Sequence, residues 1–228
     1  MDNYVLDLMQ LCDSNFPTGA FNHSFGLETY IQGDHISNQH TFSSWIKAYL
    51  QEQLVYTDGL ACALSYEALK NKRMEDIWQL DSLITVQNLP AETRDANMKM
   101  GERLLKMTIP LYEFQSLIIY SHKIETKQAF GHPAIVFAMI GYGLNIPKQS
   151  IVLAYLYSTV AGLVQNAVRG IPIGQTAGQT LLHDLQTDLA SAVRQIDRLS
   201  IDDFGITAPG LELSQMNHEQ LNIRIFMS

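Results

Sequence analysis

Apolar residues recur along most of this chain at spacings of three and four, the period of one face of an α-helix. Val5, Leu8, Met9 and Cys12 form one such stripe. Phe42, Trp45, Ile46, Tyr49, Leu50 and Leu54 form a second, with Thr41 ahead of it as a cap. Ile77, Trp78, Leu80, Leu83 and Ile84 form a third. Pro90 suits a first-turn position, where the missing N–H costs nothing, and opens a helix through Arg94, Met98 and Leu105 that Pro110 interrupts. Pro133 and Pro147 open two more, the second carrying Ile151, Val152, Tyr155, Val160, Leu163, Val164 and Ala167. The clearest stripe follows a glycine-rich turn: Leu181, Leu182, Leu185, Leu189, Ala192, Val193, Ile196 and Leu199. Only Leu221 to Phe226 alternates, with Leu, Ile and Ile between Asn and Arg. The pattern predicts an all-α bundle of about eight to ten helices with an extended C-terminal tail over about 202–228. No repeat, low-complexity tract or Gly/Ser/Pro-rich linker divides the chain, so residues 1–228 are expected to form one domain.

The 228 residues are 46% hydrophobic and 17% charged, enough to bury a full core. A net charge of -8 without any basic run argues against a nucleic-acid partner. Cys12 and Cys62 are too few and too far apart for a disulfide framework, and the first residues do not resemble a signal peptide, so the cytoplasm is expected. Ser158, Thr159, Gln165 and Asn166 interrupt the run from Ile151 to Val168, which reads as a buried soluble helix rather than a membrane span of about 20 apolar residues.

Candidate chemistry is sparse. None of the seven histidines has the one-turn spacing of a zinc protease. His35 and His40 lie in a polar loop without periodicity, and His23, His132, His183 and His218 are isolated, as caps or satisfied core histidines usually are. There is no Gly-x-Ser-x-Gly elbow, and Cys12 sits on an apolar stripe as a small hydrophobe. The stretch from Gly170 to Thr180 has the glycines of a phosphate loop but not its lysine. Gly174 and Gly178, four apart behind Pro172, instead suggest a smooth helix face for close packing. Asp13 to Glu28 is a Pro- and Gly-punctuated turn whose Asp13, His23, Ser24 and Glu28 read as helix caps before they read as a catalytic set. The end from Leu221 to Ser228 is apolar enough to need a surface, supplied equally well by its own domain or by a partner. These residues point to no catalytic group, metal or cofactor.

Together, the first turn, the glycine-rich loop and the C-terminus resemble the signature segments of the UreF family of urease accessory proteins. Phe16-Pro17-x-Gly19 with His23-Ser24-x-Gly26-Leu27-Glu28 is similar to the first segment, Arg169-x-x-Pro172-x-Gly174-Gln175-x-x-Gly178-Gln179 to the second, and Arg224-x-Phe226-x-Ser228 to the end. Phe21 stands where some relatives carry tyrosine, so a network using that hydroxyl must be rebuilt or absent here. The resemblance implies an all-α protein that dimerises and binds UreD (also called UreH), the two recruiting the GTPase UreG and the urease apoprotein for nickel insertion. It implies no nucleotide and no bond chemistry in this chain, partner-binding or structural roles for the matched residues, and a hydrogen-bond network organised by Arg224. Two other classes stand beside it: a helical enzyme with a site drawn from His23, His132, His183 and Glu28, and a generic helical interaction module.

Overall fold

The computed structural model describes residues 4–228, and every regular element among them is helical. In chain order these are α1 (Tyr4–Leu11), α2 (Leu27–Gln32), α3 (Gln39–Tyr49), α4 (Asp58–Lys70), α5 (Met74–Gln87), α6 (Ala91–Tyr112) and α7 (Gln115–Glu125). There follow α8 (Pro133–Gly143), α9 (Lys148–Gly170), α10 (Gln175–Asp184), α11 (Gln186–Ile196) and α12 (Pro209–Asn217). Leu185 is the only residue between α10 and α11, and α2 is under two turns; counting the first two as one bent rod and setting α2 aside leaves ten, the upper end of the expected number.

The core forms around α8. Its residues from Pro133 to Gly141 are all buried, as a helix apolar on every side must be. Pro133 opens it, and the His132 ring accepts from the Ala134 N–H at 3.3 Å as its cap. Helices α4, α6, α7 and α9 pack round it. α6 comes close through Gly101, where an added Cβ would overlap the Gly131 carbonyl, while Gly59 of α4 packs against Ile196 of α11 and Leu156 of α9. By length and composition α9 could cross a membrane, contrary to the reading of its polar interruptions, but its inner face of Ile151, Val152, Leu156, Val160, Leu163 and Val164 lies in the core.

Four local expectations change. Asn38, not Thr41, caps α3; Thr41 is the third residue of a reciprocal capping box. α6 runs through Pro110 to Tyr112, since a proline near a C-terminus forgoes one bond without breaking earlier turns. α1 turns Leu8 and Cys12 toward the core but leaves Val5, Leu6 and Met9 exposed. The stretch from 202 holds α12 and a 3₁₀ turn at His218–Gln220, because Pro209 starts a helix, so the extended tail begins only at Leu221.

Candidate functional site

The first turn, the end of α9 and the tail converge. Phe25 (φ 52°) and Gly26 (φ 88°) take left-handed conformations that swing the chain into α2, and a Cβ on Gly26 would collide with Ser214. This sets Ser24 and Glu28 inward, both buried. From α9, the Asn166 amide donates to the His23 carbonyl at 2.7 Å, and Arg169 donates at 2.5 Å to both the Phe21 carbonyl and Asn166 Oδ1. The Arg169 guanidinium also lies 3.4 Å from the Phe21 ring centre and 4.8 Å from that of Phe226. Phe21 thus contributes its ring face.

The tail closes over this frame. Met227 N–H donates to the Asn22 carbonyl at 2.8 Å, Ser24 N–H to the Ser228 carbonyl oxygen at 2.5 Å, and Ser228 Oγ lies 2.9 Å from His23 Nδ1. Glu28 accepts from Ile225 N–H at 2.5 Å and from Phe226 N–H at 3.1 Å. Beside it, His218 Nε2 is 3.0 Å from Glu28 and Nδ1 2.6 Å from Glu92, which in turn accepts from Arg224 at 2.6 Å. A hydrogen-bonded chain of four side chains, Glu28, His218, Glu92 and Arg224, therefore runs from α2 through the 3₁₀ turn and α6 to the tail. Burial would raise the Glu92 carboxyl, but hydrogen bonds from His218 and Arg224 outweigh it and hold it below the usual carboxylate range. His23 is pushed down to about 4, by burial first and then by Arg103, Lys99 and His218, so it meets Ser228 as a neutral ring.

The docking inverts the usual rule for an alternating segment. Phe226 and Ser228 point inward, while Ile223, Ile225 and Met227 are 81%, 61% and 63% exposed. The tail thus lies on its own domain, one of the two surfaces considered for it, while showing an apolar row to solvent.

The second segment is only partly drawn in. Gly178 is buried, and a Cβ there would press on Val168 of α9 at 3.0 Å. Gly174 precedes the first turn of α10 as its N-cap, with open space where its side chain would be, so the smooth-face expectation fails there. Pro172, Gln175 and Gln179 are exposed. His183 is exposed on α10 and Glu28 is engaged by the tail, so the set His23, His132, His183 and Glu28 does not assemble; among the described residues no three such side chains are placed to hold one metal ion. Asn166, Glu92 and, as a bridge, His218 are site residues that their sequence neighbourhoods did not mark.

Behind the first turn lies a cavity of about 720 Å³, running from Phe16, Pro17 and Gly19 to Asp58 and His132. Asp58 accepts from Tyr155 at 2.9 Å and Thr57 at 3.0 Å, and His132 Nε2 stands 3.9 Å away. Because His132 Nδ1 accepts a backbone N–H, its proton sits on Nε2, facing Asp58. Burial pushes His132 below the ordinary imidazole range, against the pull of Asp58 and Asp81. The side-chain oxygens of Gln53 and Gln87, on the same walls, have no protein partner. The thiols are poor nucleophiles: burial pushes Cys12 up to about 11, and Cys62 higher still with Asp58 nearby.

A family model described as UreF matches residues 36–186. The Urease accessory protein UreF of Lachnoclostridium phytofermentans is 58% identical over 228 residues, 100% of both chains. That of Bacillus sp. (strain TB-90) is 49% identical over 226 residues, 99% of this chain and 100% of its own. The relatives thus also span the first turn and the tail, which lie outside the family-model match.

Proposed function

The chain belongs to the UreF family of urease accessory proteins, and from that membership we propose that it is a non-enzymatic co-chaperone: with UreD (UreH) it recruits and regulates the GTPase UreG for nickel insertion into the urease apoprotein. The observation that carries this reading is the inverted tail. Three apolar side chains held outward on a docked, hydrogen-bonded backbone, beside the half-exposed Phe21 ring, make a preformed surface with a low ordering cost on binding. UreD is its proposed occupant, and Arg224, fixed on Glu92, holds the row in register. The same reading makes the chain a cytoplasmic homodimer, and gives the cavity from Phe16 to Asp58, with its carboxylate and unpartnered amide oxygens, the role of a protected route for the metal.

The test is urease activity and nickel content in cells carrying the operon with this gene deleted, complemented by the full chain, by a chain ending before Leu221, or by Arg224→Ala. Nickel-poor, inactive urease rescued only by the full chain, with UreG recruitment weakened in Arg224→Ala, is expected. Active, nickel-loaded urease in the deletion strain overturns the assignment and leaves a generic interaction module.

A further inference from the structure

We propose that the cavity behind the first turn binds a small organic cation, a protonated alkylamine whose ammonium group docks on Asp58 while its chain lies along the aromatic and aliphatic wall. The lining sets the sign of the ligand. It includes the carboxylates of Asp13, Asp58 and Glu212 and no lysine or arginine. Its two histidines do not supply the missing charge, because burial holds His132 below the ordinary imidazole range and His23 down to about 4, where Lys99 and Arg103 act on it from outside the lining. Asp58 is the carboxylate set among buried groups. It accepts from the Tyr155 and Thr57 hydroxyls at 2.9 and 3.0 Å, has no lysine or arginine partner among the described residues, and stands 3.9 Å from His132 Nε2, too far for a hydrogen bond. Burial and then the Asp58 charge push Tyr49, Tyr155 and Cys62 upward, so these neighbours are neutral. A carboxylate has about four lone-pair directions, and two hydroxyls leave the others for a ligand.

The same walls favour an organic cation over a bare metal ion. Tyr155, whose hydroxyl is on Asp58, meets Phe137 edge to face with ring centres 5.5 Å apart, and Met100, Leu104 and Leu163 continue the apolar lining. Ring faces attract ammonium groups, most strongly where water is excluded. A resident metal needs several ligands, and Asp58 has no second one beside it: His132 Nδ1 is taken by the Ala134 N–H, Nε2 carries the proton, and among the described residues no three such side chains are placed to hold one ion. The space, about 720 Å³, is of the size of small-molecule sites. Two polar groups on it also have no use within the fold. The side-chain oxygen of Gln53, one turn before Thr57, is buried without a partner. Asn97 is 7% exposed and its amide makes no hydrogen bond among the described residues; it lies one turn before Gly101, which packs on Gly131 next to His132. Orphaned buried amides weaken a fold, and leucine would avoid that cost at either position. The three N–H donors of an ammonium group answer a demand made of a carboxylate and amide oxygens.

The site does not depend on the chain being a nickel co-chaperone, and the experiment keeps the two readings apart. The full chain is titrated with n-butylammonium chloride, with n-butanol as the neutral counterpart, sodium chloride as the ionic-strength match and Ni²⁺ as the rival. Calorimetry gives the affinity, and NMR of methyl-labelled methionine follows Met100 on the cavity wall. Expected is saturable binding of butylammonium that shifts the Met100 methyl and is roughly tenfold or more tighter than that of butanol, the scale of one hydrogen bond to a charged group. Asp58→Asn should weaken butylammonium by a similar factor without affecting butanol, and Asn97→Leu should weaken it by about threefold. Equal binding of butylammonium and butanol, a Met100 shift no different from that in sodium chloride, or undiminished binding to Asp58→Asn overturns the proposal. The comparison of the two probes on the unaltered chain decides even if Asp58→Asn does not fold. Ni²⁺ that displaces bound butylammonium places both cations on the same walls and supports it; Ni²⁺ bound at Asp58 with no butylammonium binding overturns it and leaves the metal route standing.

Discussion

Replacing Asp81 by asparagine keeps the size of the side chain and changes only its hydrogen-bond supply, which makes its cost calculable. Asp81 is fully buried on α5. Oδ1 accepts from the Tyr120 hydroxyl at 2.6 Å and His132 N–H at 3.1 Å; Oδ2 accepts from Phe130 N–H at 2.6 Å and Gly131 N–H at 3.4 Å. The carboxylate thus gathers the segment leading into α8 and places negative charge at that helix's positive end. In Asp81→Asn, Oδ1 can keep its two donors, but the amide NH₂ then faces both the Phe130 and the Gly131 N–H groups. An orphaned donor costs about 1–3 kcal/mol, the longer Gly131 bond adding the lesser part, and the bonds kept lose part of their charge assistance. The expected loss is about 2–4 kcal/mol, a large share of a total near 5–15, or a fall in Tm of roughly 5–15 °C at this chain length. Urea unfolding and a thermal melt read it, with Tyr120→Phe losing about 1 kcal/mol alongside. An Asp81→Asn protein within about 0.5 kcal/mol of the parent, the scatter of surface changes, refutes the account of the core's anchoring.

Gly101→Ala drives a methyl into the Gly131 backbone and should cost about 3 kcal/mol or more, whereas Gly174→Leu, with open space around it, should cost only the poorer N-cap, about 1 kcal/mol or less. Acid should weaken the fold: His23 is lowered from 6.5 to about 4 and His132 is lowered too, so the native state binds fewer protons than the unfolded chain. Their contribution is complete above pH 6.5 and is lost as the pH falls toward 4, and urea midpoints that stay level over that interval would contradict it. Arg169→Ala should make the tail accessible to carboxypeptidase by removing two hydrogen bonds and the stack on Phe21, while Phe21→Tyr, whose ring is half exposed, should not; equal digestion of the two variants would deny Arg169 its part.

The helices legible in the sequence are those with one wet face. α3, α5, α9 and the α10–α11 rod show their stripes because water removes apolar residues from the other side. α4 was not legible: Gly59, Ala61, Cys62, Ala63 and Ser65 are buried around most of its girth, so no polar face sets off an apolar one. α7 was obscured for the opposite reason, since Ile118 and Ile119 are exposed next to buried Leu117 and Tyr120, and the continuous apolar run hides which way the helix faces. Spacing misled at Gly174 because two glycines four apart share a face only when both lie inside the helix, and Gly174 lies before it.

The site shows a deeper limit. Its backbone turns were readable in the glycines and prolines of the first segment, because left-handed geometry at Gly26 leaves a sequence trace. Glu92 and His218 leave none, being single polar residues 126 positions apart that acquire a role only when α6 and the 3₁₀ turn meet. The tail carried the most informative signal, and it takes both levels to read. Alternation shows that the segment is extended and two-faced, and the common expectation is that the apolar face is buried. Here the buried face is the one that can satisfy Glu28, His23 and the Arg169 stack, through Phe226, Ser228 and the backbone N–H groups between them. Those polar requirements cannot be met from solvent, whereas Ile223, Ile225 and Met227 can wait for a partner, so hydrogen-bond satisfaction, not hydrophobicity, decides which way this tail faces.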